Sequence, residues 1–321
     1  MKKCALVLLG LTVLPWLSHA AVPSAGNPTT FLGPNARLGL TKGISDTSAY
    51  AVAGELGQNN VRLDAGIGFI FQNNQRLKLA AEYLQQNIIY GFASGETAQW
   101  IQQGSIGANY QYDFGEYMYR YDPSFALGAY LAHSSNKGLR NNRGTYVNST
   151  GTTIPYTDST RIAGSTAAGL NPGLYIHPWQ GAYTGADLNY DNMQYNTIYS
   201  AGNNPKGFGG TLHYRQTLDE NIEATFAAGY RQPFNRYEAQ ISWLAIPFFG
   251  LWTISATGEY TIGKSRLPTT YNLGLGLNYL LEKTSHTSFT QRDSTIHFLE
   301  DVATPPAYMP QVFSIHDEWF R

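Results

Sequence analysis

The sequence predicts an all-β fold: a transmembrane, antiparallel, up-and-down β-barrel of about 12 strands. Segments of about ten residues alternate between apolar and polar side chains, and 61–71 (VRLDAGIGFIF) is the clearest case. Aromatic residues end many of these segments and make up 14% of the chain, against 13% for charged residues. Long alternating segments with aromatic ends are typical of membrane barrels, whereas strands of soluble sandwiches usually run about five or six residues.

The N-terminus has the pattern of a secretory signal peptide. Lys2 and Lys3 precede the apolar stretch 5–17, and Ser18-His19-Ala20 is a small-residue cleavage site. A membrane anchor is disfavoured, because a spanning helix needs roughly 20 apolar residues. The single cysteine, Cys4, would leave with this peptide, so no disulfide is expected. This start predicts export, and with the barrel it predicts a bacterial outer membrane.

The charge balance excludes a nucleic-acid-binding role. The chain has 21 Lys+Arg and 22 Asp+Glu, and loss of Lys2 and Lys3 leaves 19 against 22. No basic surface of the kind that binds nucleic acid is expected from this balance.

Twelve segments have strand patterning, and the lengths of their connections set the orientation. Long connections (135–160, 194–205 and 263–270) alternate with short ones (177–180 and 219–220 among them). Bacterial barrels have long external loops and short periplasmic turns. The predicted strands are 48–57, 60–71, 76–90, 98–114, 123–135, 161–176, 181–193, 206–218, 221–232, 235–246, 251–262 and 271–282.

An even number of strands places both chain ends in the periplasm. A thirteenth strand at 37–44 would start the chain outside, so this segment is expected to be a periplasmic lead-in or a lumen segment. The expected order is signal peptide, periplasmic leader, outer-membrane barrel and periplasmic C-terminal tail, at 1–20, 21–47, 48–282 and 283–321.

The polar parity of the strands is expected to face the lumen, because an unpaired charge in lipid is costly. The expected lumen-lining residues carry both signs of charge: Arg62, Asp64, Arg76, Lys78, Glu82, Asp187, His213, Arg215, Glu223, Arg231, Arg236, Glu238 and Glu259. Mixed signs allow either a closed ion-pair network or a wet pore with oppositely charged walls. The number of long side chains favours a narrow or occluded lumen.

One strand ends on two residues with catalytic chemistry. The apolar parity of 123–135 finishes on His133 and Ser135, which are two apart and therefore share a strand face. An imidazole beside a hydroxyl is the minimal arrangement for a histidine-activated serine nucleophile. The ordinary alternative is a polar rim where the strand leaves the membrane.

The run His133-Ser134-Ser135-Asn136, followed by Gly138-Leu139, resembles the H-x-S-N motif of lipid A deacylases and outer-membrane phospholipases A. The resemblance implies that His133 is the base and Ser135 the nucleophile, with a third member near Val147, where Asn148 lies. The Trp-Asn-Arg pattern of the phospholipases is absent, and the deacylases are smaller, eight-stranded barrels.

A wider resemblance covers about half of the mature chain. The blocks LKLAAEYL (around 78–84), 207–244 and TPPAYMPQVF (304–313) are similar to predicted outer-membrane proteins of gammaproteobacteria such as Legionella and Coxiella. This resemblance implies a fold and a location, and no reaction.

No cofactor or metal is expected. The histidines have no metal-ligand spacing, and Asp187, Asn189 and Asp191, which alternate on one strand face, suit either a divalent cation or an ordinary polar lumen wall. The predicted function is therefore porin-like exchange or surface display by a barrel with a charge-lined, narrow lumen, an interpretation that favours a non-enzymatic role. The alternatives are a lipid esterase at His133 and Ser135, or a barrel that binds a periplasmic partner through its tail. Expected partners are outer-membrane lipids, lipopolysaccharide and the barrel assembly machinery.

Overall fold

The structure of the protein is a computed structural model. It describes residues 29–45, 47–71, 74–92, 95–114, 122–135, 139–147, 151–163, 165–195, 206–231, 234–245, 251–263, 269–281 and 315–316. None of these residues belongs to a helix long and apolar enough to cross a membrane.

The described chain is all-β, and thirteen of its strands close into one barrel, which confirms the predicted fold class. In chain order the strands are β1 (Thr29–Ser45), β2 (Ser48–Leu56), β3 (Asn60–Phe71), β4 (Gln75–Phe92), β5 (Gly95–Asp113), β6 (Ser124–Ser135), β7 (Leu139–Val147), β8 (Thr153–Ala163), β9 (Ser165–Ile176), β10 (Ala182–Tyr195), β11 (Lys206–Asp219), β12 (Ile222–Arg231), β13 (Phe234–Ala245), β14 (Leu251–Gly263), β15 (Thr269–Leu280) and β16 (Ile315–His316). Around the barrel each strand pairs with its chain neighbour, except that β6 pairs directly with β9 and β15 returns to β1.

β1 is the thirteenth barrel strand, so the assignment of 37–44 to a lead-in or lumen segment was wrong. It pairs antiparallel with β2 and parallel with β15, in a register that runs from Thr29 opposite Thr269 to Thr41 opposite Leu280. This single parallel pair lets an odd number of strands close, which the argument from an even count did not allow. The barrel therefore begins at Thr29, and all twelve predicted segments also form strands, within a few residues of the predicted bounds.

The two ends of the barrel differ in their connections. We call the end where β6 stops and β9 starts the loop end, and the opposite end the turn end. The loop end carries the connections 136–164 and 196–205, while tight turns at 177–181 and 220–221 lie at the turn end. Because β1 and β15 are parallel, Thr29 lies at the loop end and Leu280 at the turn end.

The longest connection is itself folded. β7 and β8 form an antiparallel hairpin between β6 and β9, and β16 adds to the base of this hairpin through Ile315 and His316. No strands were predicted here, because Asn, Arg and Thr occur at both alternating sets of positions and no apolar alternation results. Of the predicted tail, only 315–316 are among the described residues.

The wall has two opposite faces, as period-2 alternation requires. Large apolar side chains are exposed on the outer face, and Leu275, for example, is 67% exposed. Charged and amide side chains at the alternate positions are buried, and Asp64 is 3% exposed. Aromatic pairs lie on the outer face near both ends, including Phe31 stacked on Tyr271 at 4.6 Å and Trp252 beside Tyr279 at 4.6 Å.

Candidate functional site

The candidate site is the interior face of the wall, where the thirteen residues expected to line the lumen lie. All thirteen alternate with the outward apolar side chains, and each is buried or half-buried. The structure brings most of them into four clusters, each formed by residues of two or more strands.

The first cluster joins β1 to β4 and is called here the β1–β4 network: Arg37, Glu55, Arg62, Asp64 and Glu82. Arg37 Nη1 donates to Asp64 Oδ2 at 2.5 Å, and Arg62 Nε donates to Asp64 Oδ1 at 3.2 Å. Arg62 also pairs with Glu82, and Arg37 lies 3.8 Å from Glu55. Both oxygens of the Asp64 carboxylate are therefore held by arginines from two different strands.

Amide side chains complete the environment of Glu55. Asn35 Nδ2 and Asn60 Nδ2 each donate to Glu55 Oε1 at 2.7 Å. Sequence reasoning missed Arg37 and Glu55. Arg37 lies in the segment assigned to a lead-in, and the strand of Glu55 has Ala or Val on both parities, which hides its polar face.

The second cluster is smaller and lies on β13 and β14. Glu238 and Glu259 stand directly opposite each other in the register of these strands. Arg236 approaches both, with Nη2 at 3.5 Å from Glu238 Oε2 and 3.1 Å from Glu259 Oε2. One arginine thus offsets the repulsion of two facing carboxylates.

Two basic residues of β4 lie near the turn end. Arg76 pairs with Asp113, the last residue of β5, and is almost completely buried. Lys78, two residues further along the same face, is also buried. Sequence reasoning did not assign Asp113 to the lumen.

The third cluster links β6, β10 and β12 through Asp191. The Tyr130 hydroxyl donates to Asp191 Oδ1 at 2.6 Å, and Arg231 pairs with the same oxygen. Arg231 is 2% exposed and lies over the Tyr130 ring, with Cζ 5.5 Å from its centroid. This network joins strands that are 40 to 101 residues apart in the chain.

The fourth cluster uses the second aspartate of β10. The Tyr175 hydroxyl donates to Asp187 Oδ1 at 2.5 Å, and His213 Nε2 lies 2.8 Å from Asp187 Oδ2. Tyr175 stacks on Tyr183 at 5.2 Å, and the Arg215 guanidinium covers the Tyr183 ring at 4.9 Å. Tyr130, Tyr175 and Tyr183 were not predicted as lumen groups, because only charged residues were assigned there.

Asp187, Asn189 and Asp191 each contact other side chains of the barrel. Asp187 and Asp191 have the contacts just described, and Asn189 Nδ2 donates to Thr211 Oγ1 at 2.8 Å. In the part of the chain that the structure describes, no group of three or more His, Cys, Asp or Glu side chains could hold a metal ion. The contacts of these three residues with other side chains favour the polar-wall interpretation.

The remaining lumen residue, Glu223, is buried on β12, where it stands opposite Thr217 and Ser242. Just outside the strands, His177 Nδ1 lies 3.2 Å from the Ala182 carbonyl oxygen. Burial, and then the positive charge of Arg215, lower the pKa of His177 below its usual value.

His133, the proposed catalytic base, lies on the outer face near the loop end. Its imidazole is exposed, and Nδ1 is 3.1 Å from Thr166 Oγ1 on β9. Ser135 ends β6 opposite Gln102, but its side chain and all of Asn148 lie outside the described part of the chain. The esterase arrangement thus stays a prediction, and the hydroxyl found beside His133 belongs to Thr166.

A scan against protein-family models and a search of curated proteins both find no match.

Proposed function

We propose that this protein is a bacterial outer-membrane β-barrel whose interior is closed by its own side chains, and which displays the β7–β8 hairpin at the cell surface. The observation that carries the proposal is the polarity of the barrel wall. Its outer face is apolar and its inner face is charged, the reverse of a soluble protein. A soluble protein of this form would expose apolar surface far beyond the few hundred Å² that is usual for a monomer. In a bilayer the same surface is solvated by lipid.

The orientation rests on the two kinds of connection. Long loops are external in bacterial barrels and short turns are periplasmic. The loop end, with the hairpin between β6 and β9, would then face the outside, and Leu280 would end the barrel on the periplasmic side.

Closure of the lumen is supported by the burial of its charges. The Asp64 carboxylate is fully buried, the side chain of Glu82 is 2% exposed, and Arg231 is also buried. In a wide aqueous channel such side chains would be hydrated. Apolar inward residues are covered as well, among them Leu84, Ile88 and Ile101.

Membrane insertion is tested by fractionating cells that express the full chain. We expect the protein in the outer-membrane fraction, with faster gel migration before boiling than after it, as a folded barrel resists the detergent. Recovery in the soluble periplasmic fraction would contradict the proposal.

Closure is tested by single-channel recording in planar bilayers. We expect no steady conductance from the native chain. Replacing both Arg37 and Arg62 by serine should produce frequent openings, because the β1–β4 network loses both of its cations. Lys42→Ser, an exposed charge on the same strand as Arg37, is the matched control and should stay closed. A steady native conductance would favour passive solute exchange instead.

A further inference from the structure

One strand of the barrel has a long stretch of inner face without apolar side chains. β5 directs alternate residues into the lumen from Gln103, which is opposite Ser134 of β6, to Asp113, its last residue. Over nearly all of this length β5 has β4 on one side and β6 on the other. The inward residues are amides, a hydroxyl, a glycine and one carboxylate. We call them the β5 track: Gln103, Ser105, Gly107, Asn109, Gln111 and Asp113.

The β5 track is long enough to cross the membrane-spanning part of a barrel. Ten residues of strand rise roughly 34 Å, which is about 26 Å along the barrel axis at a strand tilt of about 40°. The apolar band of outer-membrane barrels is about 25 Å tall. The inner face of the neighbouring β4 carries Arg76, Lys78 and Glu82, whereas the β5 track is neutral from Gln103 to Gln111.

The half of the track nearer the loop end has buried polar atoms that the protein itself does not satisfy. Gln103 is 2% exposed, and within the described part of the chain neither its Nε2 nor its Oε1 has a hydrogen-bond partner. The same holds for Ser105 Oγ and for Oε1 of Gln86, the diagonal neighbour of Gln103 on β4. Buried polar groups almost always have partners, and ordered water serves where the protein offers none. These atoms therefore suit a file of water molecules.

The half of the track nearer the turn end is reached by water-sized space. Asn109 and Gln111 face the lumen and yet are half-buried, and the side chain of Asp113 is 24% exposed. In the middle, Gly107 is opposite Ala80, so neither β4 nor β5 places a long side chain at that level. The narrowest part of the track is therefore the level of Gln103 and Ser105.

We propose that the β5 track conducts water through the otherwise closed barrel, an inference that rests on the proposed membrane location. Amide and hydroxyl groups both donate and accept, so they can exchange hydrogen bonds with successive water molecules, as the lining of a water pore must. At the narrowest level, Gln103 and Ser105 carry no charge that would offset the cost of removing water from an ion. Water should therefore pass where ions do not.

The test is the osmotic water permeability of lipid vesicles that contain the full chain, measured by stopped-flow light scattering. Vesicles with the native chain should shrink faster than protein-free vesicles of the same lipid. Gln103→Leu keeps a side chain of similar size and removes both hydrogen-bonding atoms, so it should lower the protein-dependent permeability about tenfold, the effect of roughly 1.4 kcal/mol of lost hydrogen bonding. Gln102→Leu, the next residue on the outer face, is the matched control and should leave the permeability unchanged. Ser105→Ala, a smaller change at the same level, should lower it about threefold and serves if Gln103→Leu does not fold.

Two results would overturn the inference: native vesicles that shrink no faster than protein-free ones, or equal permeabilities with Gln102→Leu and Gln103→Leu. Flotation with the vesicles and gel migration before boiling verify that each variant is inserted and folded. Single-channel recording on the same preparations separates this inference from the proposed closure. A native chain that conducts ions would contradict closure, while a loss of water flux in Gln103→Leu without a change in ion conductance would still support the β5 track. A native chain that does not float with the vesicles would overturn both the proposed location and the water path.

Discussion

The β1–β4 network and the Asp187–Asp191 wall of β10 both bury carboxylates inside the barrel, but they hold them differently. In the β1–β4 network, Asp64 is shared by two arginines, so each oxygen has its own cation. On β10, each aspartate has one tyrosine hydroxyl and one basic partner. Among the residues that the structure describes, the Asp64 carboxylate thus has a second cation, and the two carboxylates of β10 do not.

The two regions also differ in what they require of the backbone. Long arginines reach across strands in the β1–β4 network. On β10 the short aspartates need room, and glycines on β9 provide it. A Cβ at Gly173 would overlap Asp187 Oδ1, and one at Gly169 would lie 2.7 Å from Asp191 Oδ1 and overlap the Tyr130 ring. A buried carboxylate can therefore be accommodated in two ways. Either a second arginine holds it, or glycines on the neighbouring strand leave room for it.

Loss of Arg231 should have the largest effect, because within the described part of the chain Arg231 is the one basic residue that pairs with Asp191. We expect Arg231→Ala to lower the free energy of unfolding by about 3–5 kcal/mol, the range for breaking a buried ion pair. Arg37→Ala should cost clearly less, since Arg62 still holds Asp64. Urea unfolding followed by tryptophan fluorescence in lipid vesicles measures both. Equal losses would mean that the β1–β4 network is not redundant.

A methyl group at Gly173 tests the requirement for space. Gly173→Ala should destabilise the barrel by about 1–3 kcal/mol, the usual range for overpacking. Gly104→Ala is the control, because a Cβ there meets no atom within 4 Å. In an Asp187→Ser background the cost of Gly173→Ala should fall, and a double-mutant cycle in the same unfolding assay measures that coupling. Additive losses would show that Asp187 is not the obstacle.

These contrasts show why the strands could be predicted and most of the partners could not. Alternation is a local property, so 61–71 and 271–282 could be recognised from a few residues each. The segment 37–44 also alternates. Its partner strand β15, however, lies more than two hundred residues later in the chain and pairs with it in parallel, and no local pattern reveals such a pairing. The hairpin strands β7 and β8 have polar residues at both alternating sets of positions, so their sequences do not show the apolar alternation from which strands were predicted.

The same limit applies to the site. Inward placement of Asp64, Asp191 and Arg231 follows from parity, but the choice of partner depends on register between distant strands. Asp191 meets Arg231 forty residues later, and Tyr130 sixty-one residues earlier. The tyrosines were overlooked because aromatic residues were assigned to the lipid-facing girdles.

Removal of the Tyr175 hydroxyl tests a weaker interaction of β10, the hydrogen bond from that hydroxyl to Asp187. Tyr175→Phe keeps a ring that can stack on Tyr183 and removes one donor from Asp187, so we expect a loss of about 1 kcal/mol in the free energy of unfolding. Tyr214→Phe removes a comparable bond, from an exposed hydroxyl to Gln216 Oε1 at 2.9 Å, and should change stability very little. Equal losses of free energy of unfolding in the two variants would show that the Tyr175 hydroxyl stabilises the fold no more than an exposed tyrosine hydroxyl does.

The smallest effect should come from His177, at the turn that follows β9. Its pKa is lowered by burial and by Arg215, so the unfolded chain binds the proton more readily than the folded one. Stability should therefore be complete above the ordinary histidine pKa of about 6.5 and decline slightly as the pH falls below it. His177→Gln should flatten this part of the dependence of the urea midpoint on pH between 7.5 and 5.5, while the exposed His133→Gln serves as control. Because the ring is only partly buried, solvent screening keeps the effect well below that of Arg231. A pH dependence that His177→Gln leaves unchanged would contradict this prediction.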